Sequence, residues 1–266
     1  MKSEFDRPNT RITFLGTSSA IPDFGGDTFS LAINREVLVD TGWKVAENLR
    51  KHEIDPAGLE HLVFTHFHQD HYLSLPSLLF YILMKKKDFR GLTVIGPARD
   101  LELTIDRALA FLRQGRYIVN AGRPNIVALE PGQSYETMAF RLDTHASLHP
   151  VPGLSYRFHD KRNGVVFGIS GDTAYHPPLA DFFHGSRLLI HEASLGADAA
   201  NPDANPALHS GAEDAARIAS MAQVDRLLLT HGPRDRIGAC LDAARRIFSG
   251  TVEWPEEGST VELAGT

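Results

Sequence analysis

The amino-acid sequence predicts an α/β fold in which two mixed β-sheets are stacked face to face and flanked by helices. Short apolar or β-branched segments alternate with segments whose apolar residues recur at helical spacing, a pattern typical of layered α/β proteins. In the second half, several strand-like segments follow one another without an intervening helix, which argues against one purely parallel sheet. The 266 residues contain no internal repeat, low-complexity segment or linker, so we expect a single domain over residues 1–266.

The elements of the first half follow from the spacing of their apolar residues. Runs rich in Val, Ile, Leu and Phe predict strands at residues 11–15, 37–39, 61–65 and 92–95. Apolar residues three and four positions apart predict helices at residues 43–52, 71–84 and 101–112. The Thr41-Gly42 pair predicts the turn that leads into the first of these helices.

The second half begins with a group of strands. They are predicted at residues 140–144, 154–158 and 164–170, and a turn at 160–163 joins the last two. Later strands are predicted at 187–191 and 226–230, with one helix beginning at Ala212 and another over residues 237–248. The Gly-, Pro- and Asn-rich residues 195–206 predict a long surface loop, and such loops are often functional.

Composition excludes several classes of protein. The net charge of -6 argues against a wide nucleic-acid surface, which needs clustered positive charge. The single cysteine, Cys240, cannot form a disulfide within the chain, and we expect it to be buried in a helix. Residues 1–11 contain no apolar leader and no segment is long and apolar enough to cross a membrane, so we expect a cytoplasmic protein.

Imidazole and carboxylate groups are concentrated in one short segment. The residues T-H-F-H-Q-D-H, at 65–71, directly follow a predicted strand and begin a predicted helix. On an extended chain His66 and His68 share a face, whereas Asp70 and His71 lie where the chain turns and can reach a second ion. Imidazole with carboxylate is the ligand set of catalytic zinc or a similar divalent cation. This segment therefore predicts a metal site.

The pattern H-x-H-x-D-H resembles the signature of the metallo-β-lactamase superfamily, and His66, His68, Asp70 and His71 match it. Residues 14–22, F-L-G-T-S-S-A-I-P, are similar to the opening of its tRNase Z (ribonuclease Z) and phosphodiesterase branch. The segments V-D-T-G at 39–42 and I-G-P at 95–97 are similar to further family motifs. The resemblance covers nearly the whole chain and implies a hydrolase with a four-layer αββα sandwich of two mixed sheets.

The resemblance also implies the remaining ligands. His149 matches the third-motif histidine through the following P-V-P-G-L-S-Y-R context, with His145 as a rival four residues earlier. Asp172 matches the aspartate shared by two metals, although G-D-T alone would be an ordinary turn. His231, at the end of a predicted strand, matches the last ligand. The implied site places His66, His68 and His149 on one ion, and Asp70, His71 and His231 on the other.

The two ions implied by the resemblance are most often Zn²⁺, although Mn²⁺ or Fe would also accept these ligands. Two neighbouring cations can share a hydroxide that attacks the substrate, and Asp70 can hold that hydroxide in line. Asp40 is expected to steady the H-x-H-x-D-H segment through hydrogen bonds instead of binding metal.

Two further residues are candidates for proton transfer to the leaving group. The segment H-E-A-S at 191–194 resembles the H-E-A-T motif of tRNase Z, and His209-Ser210 resembles its H-S-T motif. This resemblance assigns Glu192 and His209 to proton transfer. As an alternative, residues 191 and 192 are simply a polar strand end, and Ser210 with Glu213 forms a capping box for the next helix.

The leading functional hypothesis is a two-metal phosphodiesterase acting on a small or cyclic nucleotide or on the 3′ region of an RNA. Against true tRNase Z activity, residues 150–171 suffice only for a hairpin, without the long tRNA-binding arm, and H-G-P-R-D follows the last ligand. A second hypothesis is a carboxylic ester or lactone hydrolase, in which Tyr156 or another donor stabilises the oxyanion. A third is a non-catalytic binding or carrier protein. Related enzymes often form homodimers, so a dimer is possible here.

Overall fold

The computed structural model describes residues 8–113 and 121–265 and contains two seven-stranded mixed sheets. The first sheet consists, in spatial order, of β14 (Thr260–Leu263), β1 (Thr10–Gly16), β2 (Ser30–Ile33), β3 (Val37–Val39), β4 (His61–Val63), β5 (Thr93–Pro97) and β6 (Asn125–Leu129). The second consists of β13 (Thr251–Glu253), β12 (Arg226–Thr230), β11 (Leu188–Glu192), β10 (Val165–Ile169), β9 (Leu154–Asp160), β8 (Phe140–Ala146) and β7 (Ser134–Glu136). Strands β3 to β6 are mutually parallel, as are β10 to β13, whereas the other neighbours are antiparallel. The predicted pair of mixed sheets is confirmed.

Helices cover the outer face of each sheet. Helices α1 (Val45–Lys51), α2 (Gln69–Tyr72), α3 (Leu75–Lys86) and α4 (Leu101–Leu112) lie with the first sheet, and α5 (Pro178–Phe183), α6 (Ala212–Ala222) and α7 (Ile237–Ile247) lie with the second. In β11, Leu188 and Ile190 enter the core between the sheets, whereas Leu189 packs beneath the helices. Because both faces of these strands are buried, their sequences are continuously apolar.

Most predicted strands and helices occur within a few residues of their expected positions, but five strands and one helix, α5, were missed. Four of those strands, β6, β7, β13 and β14, are the outer edges of the two sheets. An edge strand pairs on one side only, and β7 and β13 have exposed polar residues at both ends. Their sequences therefore lack the buried apolar pattern that identifies interior strands.

The single helix predicted for residues 71–84 is wrong, since the chain forms two helices, α2 and α3. Pro76, in the first turn of α3, has no N–H to donate and its ring would clash with a carbonyl four residues earlier. Between the helices, Ser74 donates through Oγ to Thr41 O at 2.6 Å and through its N–H to Gly42 O at 3.0 Å. This break turns the metal-motif segment back towards the end of β3.

The predicted capping box of Ser210 and Glu213 is also wrong. The Gly211 N–H donates to the carboxylate of Asp214 at 3.2 Å, so that α6 is capped one residue later than expected. Ser210 instead donates to Thr173 O at 2.7 Å, which ties the chain before α6 to the end of β10.

Other expectations concern burial and membranes. Cys240 is fully buried in α7, as predicted. Across residues 8–113 and 121–265, no helix combines the length and apolar character needed to cross a bilayer. Residues 1–7, part of the segment used to judge a leader peptide, lie outside the described residues. The expectation of a single domain stays a prediction.

Candidate metal centre

The predicted ligands converge at one edge of the two sheets. His66, His68, Asp70 and His71 follow the carboxyl end of β4, Asp172 follows that of β10, and His231 follows that of β12. His149 lies in the connection between β8 and β9. Because the two sheets are stacked, these loops meet across the cleft, and the carboxyl ends of parallel strands are a common place for ligands. Residues from 66 to 231 are thereby brought together.

The first group consists of His66, His68 and His149. Nδ1 of His68 lies 3.2 Å from Nε2 of His66 and 3.0 Å from Nε2 of His149. Burial lowers the pKa of each of these histidines, most strongly that of His66. Neutral imidazoles have a free lone pair, which is the form that a metal ion binds.

The second group consists of Asp70, His71, Asp172 and His231, all of them buried. The Nε2 atoms of His71 and His231 are 3.2 Å apart, and each is 3.3 Å from Oδ2 of Asp70. Oδ2 of Asp172 lies 3.4 Å from His71 Nε2, 3.5 Å from His231 Nε2 and 3.7 Å from His66 Nε2. Asp172 therefore lies between the two groups.

Each group has the composition and compactness of a metal site. Within each group, the candidate ligand atoms all lie within 4.8 Å of one another. Although burial disfavours ionised carboxylates, the neighbouring histidines hold the pKa of both Asp70 and Asp172 well below the usual range. Conversely, burial opposes a charged His71, but Asp172 and Asp40 raise its pKa well above the ordinary value. Anionic oxygens and imidazole nitrogens together suit divalent zinc, manganese or iron.

Asp40 holds the metal-motif segment as expected. Its Oδ1 accepts from Thr65 N at 2.9 Å, and its Oδ2 accepts from Thr65 Oγ1 at 2.7 Å and from His71 Nδ1 at 2.8 Å. Asp40 is buried and has a positive φ of 53°, a conformation that Asp tolerates better than most residues. Because Asp40 engages Nδ1 of His71, Nε2 is the ring nitrogen that faces the second group.

Similar outer hydrogen bonds orient the other histidines. Nδ1 of His66 contacts Thr65 Oγ1 at 3.1 Å, and Nδ1 of His149 contacts Leu208 O at 3.2 Å. Nδ1 of His231 contacts Ser194 Oγ at 2.8 Å. In each case the outer partner occupies Nδ1 and leaves Nε2 for the centre. His68 is the exception, since its Nδ1 is the atom that faces the other imidazoles.

Buried Glu192 and half-buried His209 form a pair beside the second group. His209 Nδ1 donates to Glu192 Oε1 at 2.9 Å and lies 3.8 Å from Asp172 Oδ2. Although burial alone would lower it, the Glu192 carboxylate raises the pKa of His209 to about 9. His209 Nε2 makes no hydrogen bond to any residue within 8–113 and 121–265. The protonated ring therefore keeps a second N–H, at Nε2, and its centroid lies 5.1 Å from that of His149 and 5.8 Å from that of His231.

The Glu192 carboxylate is shared by several donors. Its Oε1 also accepts from Thr173 N at 2.7 Å, and its Oε2 accepts from Ser194 Oγ at 2.6 Å. Ser194 thus lies between the carboxylate and Nδ1 of His231. Sequence reasoning gave no role to Ser194, although it occupies the last position of the H-E-A-S segment that drew attention to Glu192.

Two candidates considered from the sequence lie elsewhere. His145, the rival of His149, packs at a tilt against His176 and Phe182, at ring-centroid distances of 5.5 and 5.3 Å, and belongs to neither group of ligand atoms. Tyr156 is fully buried and donates to Phe64 O at 2.7 Å. Its hydroxyl is therefore unavailable to an oxyanion, which corrects the role considered for it in ester hydrolysis.

Comparisons with known proteins agree with this arrangement. The profile of the beta-lactamase superfamily domain matches residues 35–232, a span that contains both groups of candidate ligands. A Ribonuclease Z of Methanothermobacter thermautotrophicus is 26% identical over 295 aligned positions, which cover 90% of this chain and 92% of that protein. Since 295 positions exceed the 266 residues of this chain, the relative has additional residues.

Two solved structures have the same fold. The metallo-beta-lactamase fold protein YhfI of Bacillus subtilis is 23% identical, with a TM-score of 0.81 over 96% of this chain and 99% of that one. The short form of human tRNase Z is 22% identical, with a TM-score of 0.76 over 95% of this chain and 99% of that one.

Proposed function

Because this chain belongs to the beta-lactamase superfamily, we propose that it hydrolyses phosphodiester bonds with the help of two divalent metal ions. The proposal rests chiefly on one observation, that seven imidazole and carboxylate side chains form two adjoining groups with Asp172 between them. Similarity to Ribonuclease Z over 90% of the chain supports the choice of a phosphodiester.

We assign His66, His68 and His149 to one ion, Asp70, His71 and His231 to the other, and Asp172 to both. Zinc is the ion we favour, since imidazole-rich sets with few carboxylates suit it well. When bound, a pair of such ions lowers the pKa of water and withdraws electron density from the phosphoryl oxygens.

The residues of the chain supply the remaining chemistry. The leaving oxygen acquires negative charge as the P–O bond breaks, and the Nε2–H of protonated His209 can donate a proton to it. Glu192 keeps His209 protonated at neutral pH through the 2.9 Å hydrogen bond to Nδ1. Oδ2 of Asp70 lies 3.3 Å from Nε2 of both His71 and His231 and contributes negative charge that favours cation binding.

The size of the substrate follows from the loops. Residues 150–171 contain only the β9–β10 hairpin, whose strands pair directly from Asp160 and Val165 onwards, without a protruding arm. A small phosphodiester, such as a cyclic or other nucleotide ester, fits this short rim better than a folded tRNA. The 3′ region of an RNA is the alternative that the Ribonuclease Z relatives support. A cytoplasmic location and a homodimer remain predictions.

The test uses the full-length protein loaded with zinc or manganese. We expect turnover of bis(p-nitrophenyl) phosphate and about two metal ions per chain by elemental analysis. His149→Ala should lose metal and turnover, whereas the matched control His145→Ala, four residues away on β8, should keep both. Turnover of lactones alone would refute the phosphodiesterase proposal, and metal binding without turnover of any ester would indicate a binding protein.

A further inference from the structure

A cavity of about 370 Å³ lies beside the metal centre. Residues Trp254 to Glu257 form one side, Arg234 and Ile237 another, and Thr17 completes the lining. Ligand sites typically have volumes of about 300–1,000 Å³, so this cavity can accept a group of nucleotide size. None of its lining residues belongs to the candidate metal ligands or to the Glu192–His209 pair.

The cavity shares a wall with the centre. The N–H of His231, a candidate metal ligand, donates to Thr17 O at 2.7 Å. The next residue, Gly232, lies directly against the indole ring, because a Cβ on Gly232 would come within 2.8 Å of Trp254 Cη2. The cavity thus borders the backbone that carries His231 and Gly232, next to the second metal group. This position suits the part of a substrate that extends beyond the scissile bond.

Loop contacts fix this wall in place. The N–H of Arg234 donates to Asp23 Oδ2 at 3.2 Å, which joins the segment after β12 to the loop after β1. Glu257 Oε1 accepts from Asp27 N at 3.0 Å, and Gly258 N donates to Phe14 O at 2.6 Å. The loops on three sides of the cavity are therefore connected to one another by hydrogen bonds.

The lining offers three kinds of contact. Trp254 is only partly buried and presents an aromatic surface on which a base can stack. The guanidinium of Arg234 is exposed and forms no direct salt bridge in the described part of the chain, although its charge acts on nearby Glu257, and it can bind a phosphate. The exposed carboxylate of Glu256 can accept from the exocyclic amino group of a base, whereas that of Glu257 already accepts from Asp27 N. An indole, an exposed guanidinium and a carboxylate acceptor offer contacts to the base and the phosphate of a nucleotide.

We propose that this cavity is a nucleotide subsite, which binds the nucleoside that flanks the scissile phosphodiester by stacking on Trp254 and by pairing Arg234 with a phosphate. This inference rests on the proposed function and adds the place where the nucleoside part of the substrate binds. The nucleoside can come from a small nucleotide ester or from the end of an RNA, which have the same base, sugar and phosphate chemistry.

The first experiment measures binding without turnover. The chain has two tryptophans, so Trp43→Phe leaves Trp254 as the only indole in the metal-loaded protein. We expect adenosine 5′-monophosphate to quench its fluorescence saturably. By calorimetry, Trp254→Leu should weaken the affinity about tenfold or more, because base stacking contributes substantially. Trp254→Phe, which keeps an aromatic face, should retain most of the affinity and shows whether loss reflects folding.

Arginine variants test the phosphate contact. Arg234→Ala should weaken binding of adenosine 5′-monophosphate about tenfold but change adenosine binding little, because only the nucleotide carries the phosphate. The matched control is Arg246→Ala, a surface arginine of α7 whose carboxylate partner is Glu213. Two results would overturn the proposal. One is an unchanged nucleotide affinity in both Trp254→Leu and Arg234→Ala, and the other is the absence of Trp254 fluorescence quenching in Trp43→Phe.

Turnover then separates this inference from the proposed function. In Trp254→Leu and Arg234→Ala, kcat/KM for a dinucleoside monophosphate or a short RNA with a 3′ extension should fall by a larger factor than kcat/KM for methyl p-nitrophenyl phosphate. Equal losses for both kinds of substrate, or none, contradict a nucleotide subsite. If the protein binds the nucleotide in the cavity but hydrolyses no phosphodiester, the proposed subsite is supported and the proposed phosphodiesterase activity is refuted.

Discussion

Replacement of Glu192 by glutamine tests whether the Glu192–His209 pair acts in proton transfer. Glutamine has nearly the same shape but no charge, and Glu192 is only 2% exposed. This carboxylate raises the pKa of His209 to about 9. Without its charge, the His209 pKa should fall to its ordinary value of 6.5 or below, because burial lowers the pKa and the main opposing interaction has been removed. The structural change is small, whereas the change in protonation is large.

The magnitude follows from the two pKa values. At pH 8 a group with a pKa of about 9 is about 90% protonated, whereas one with a pKa near 6.5 is about 3% protonated, a difference of about 30-fold. At pH 6 both are mostly protonated and the difference is less than about twofold. The loss of activity in Glu192→Gln should therefore grow steeply with pH.

The assay is the pH profile of kcat/KM for two phosphodiesters. A dinucleoside monophosphate has a poor leaving group that needs a proton, and its alkaline limb should move from near 9 to 6.5 or below in the variant. Bis(p-nitrophenyl) phosphate releases p-nitrophenolate, a good leaving group, so its turnover should change little. Glu136→Gln, an exposed residue paired with Lys161, is the matched control.

The linked effect on stability has a definite sign. His209 has a higher pKa in the folded protein than in the unfolded chain, so its charged form stabilises the fold fully below about pH 6.5. This contribution, about 3 kcal/mol at most, is lost as the pH rises through about 9. The stability difference between wild type and Glu192→Gln should shrink over the same window.

Parallel pH profiles of kcat/KM for wild type and Glu192→Gln with both substrates would refute proton transfer by His209.

Further predictions concern the hydrogen bonds around the centre. Asp40→Asn should lower metal affinity about 10–100-fold, as measured by competition with a chelator, because His71 and Thr65 lose a charged acceptor. Ser194→Ala should weaken the binding of one metal ion by a similar factor because His231 loses its Nδ1 partner, and Ser194→Thr should restore it; equal loss of both ions would argue for general disruption. Tyr156→Phe should cost about 1 kcal/mol in the free energy of unfolding and leave kcat unchanged, since the hydroxyl donates only to a buried carbonyl. Removal of metal with a chelator should lower the thermal midpoint, and re-addition should restore it.

The sequence located the interior strands other than β2, and the longer helices, because their burial dictates a regular apolar pattern. It did not locate the edge strands, such as β7, whose pairing depends on a neighbour provided by the rest of the sheet. It also missed the break before α3. Pro76 was visible in the sequence, but the hydrogen bonds from Ser74 to the end of β3 depend on how the helices lie against the sheet.

The metal-motif segment could be identified from its residues alone, because His66, His68, Asp70 and His71 lie within six positions and their spacing is local. The choice of His149 over His145 depended on resemblance, since both are histidines beside the same strand. In the structure the two side chains point in different directions. His145, on β8, contacts Phe182, whereas His149, which lies beyond the end of that strand, reaches His68.

The sequence by itself determined the layered fold and the chemical character of the centre, since both depend on residue type and local spacing. Only the tertiary structure decided which distant groups touch. It joined Ser194 to His231, and Trp254 to the backbone beside that histidine, through contacts between strands that are far apart along the chain. Such contacts depend on the order and stacking of the sheets, because the same local sequence can lie in many different surroundings.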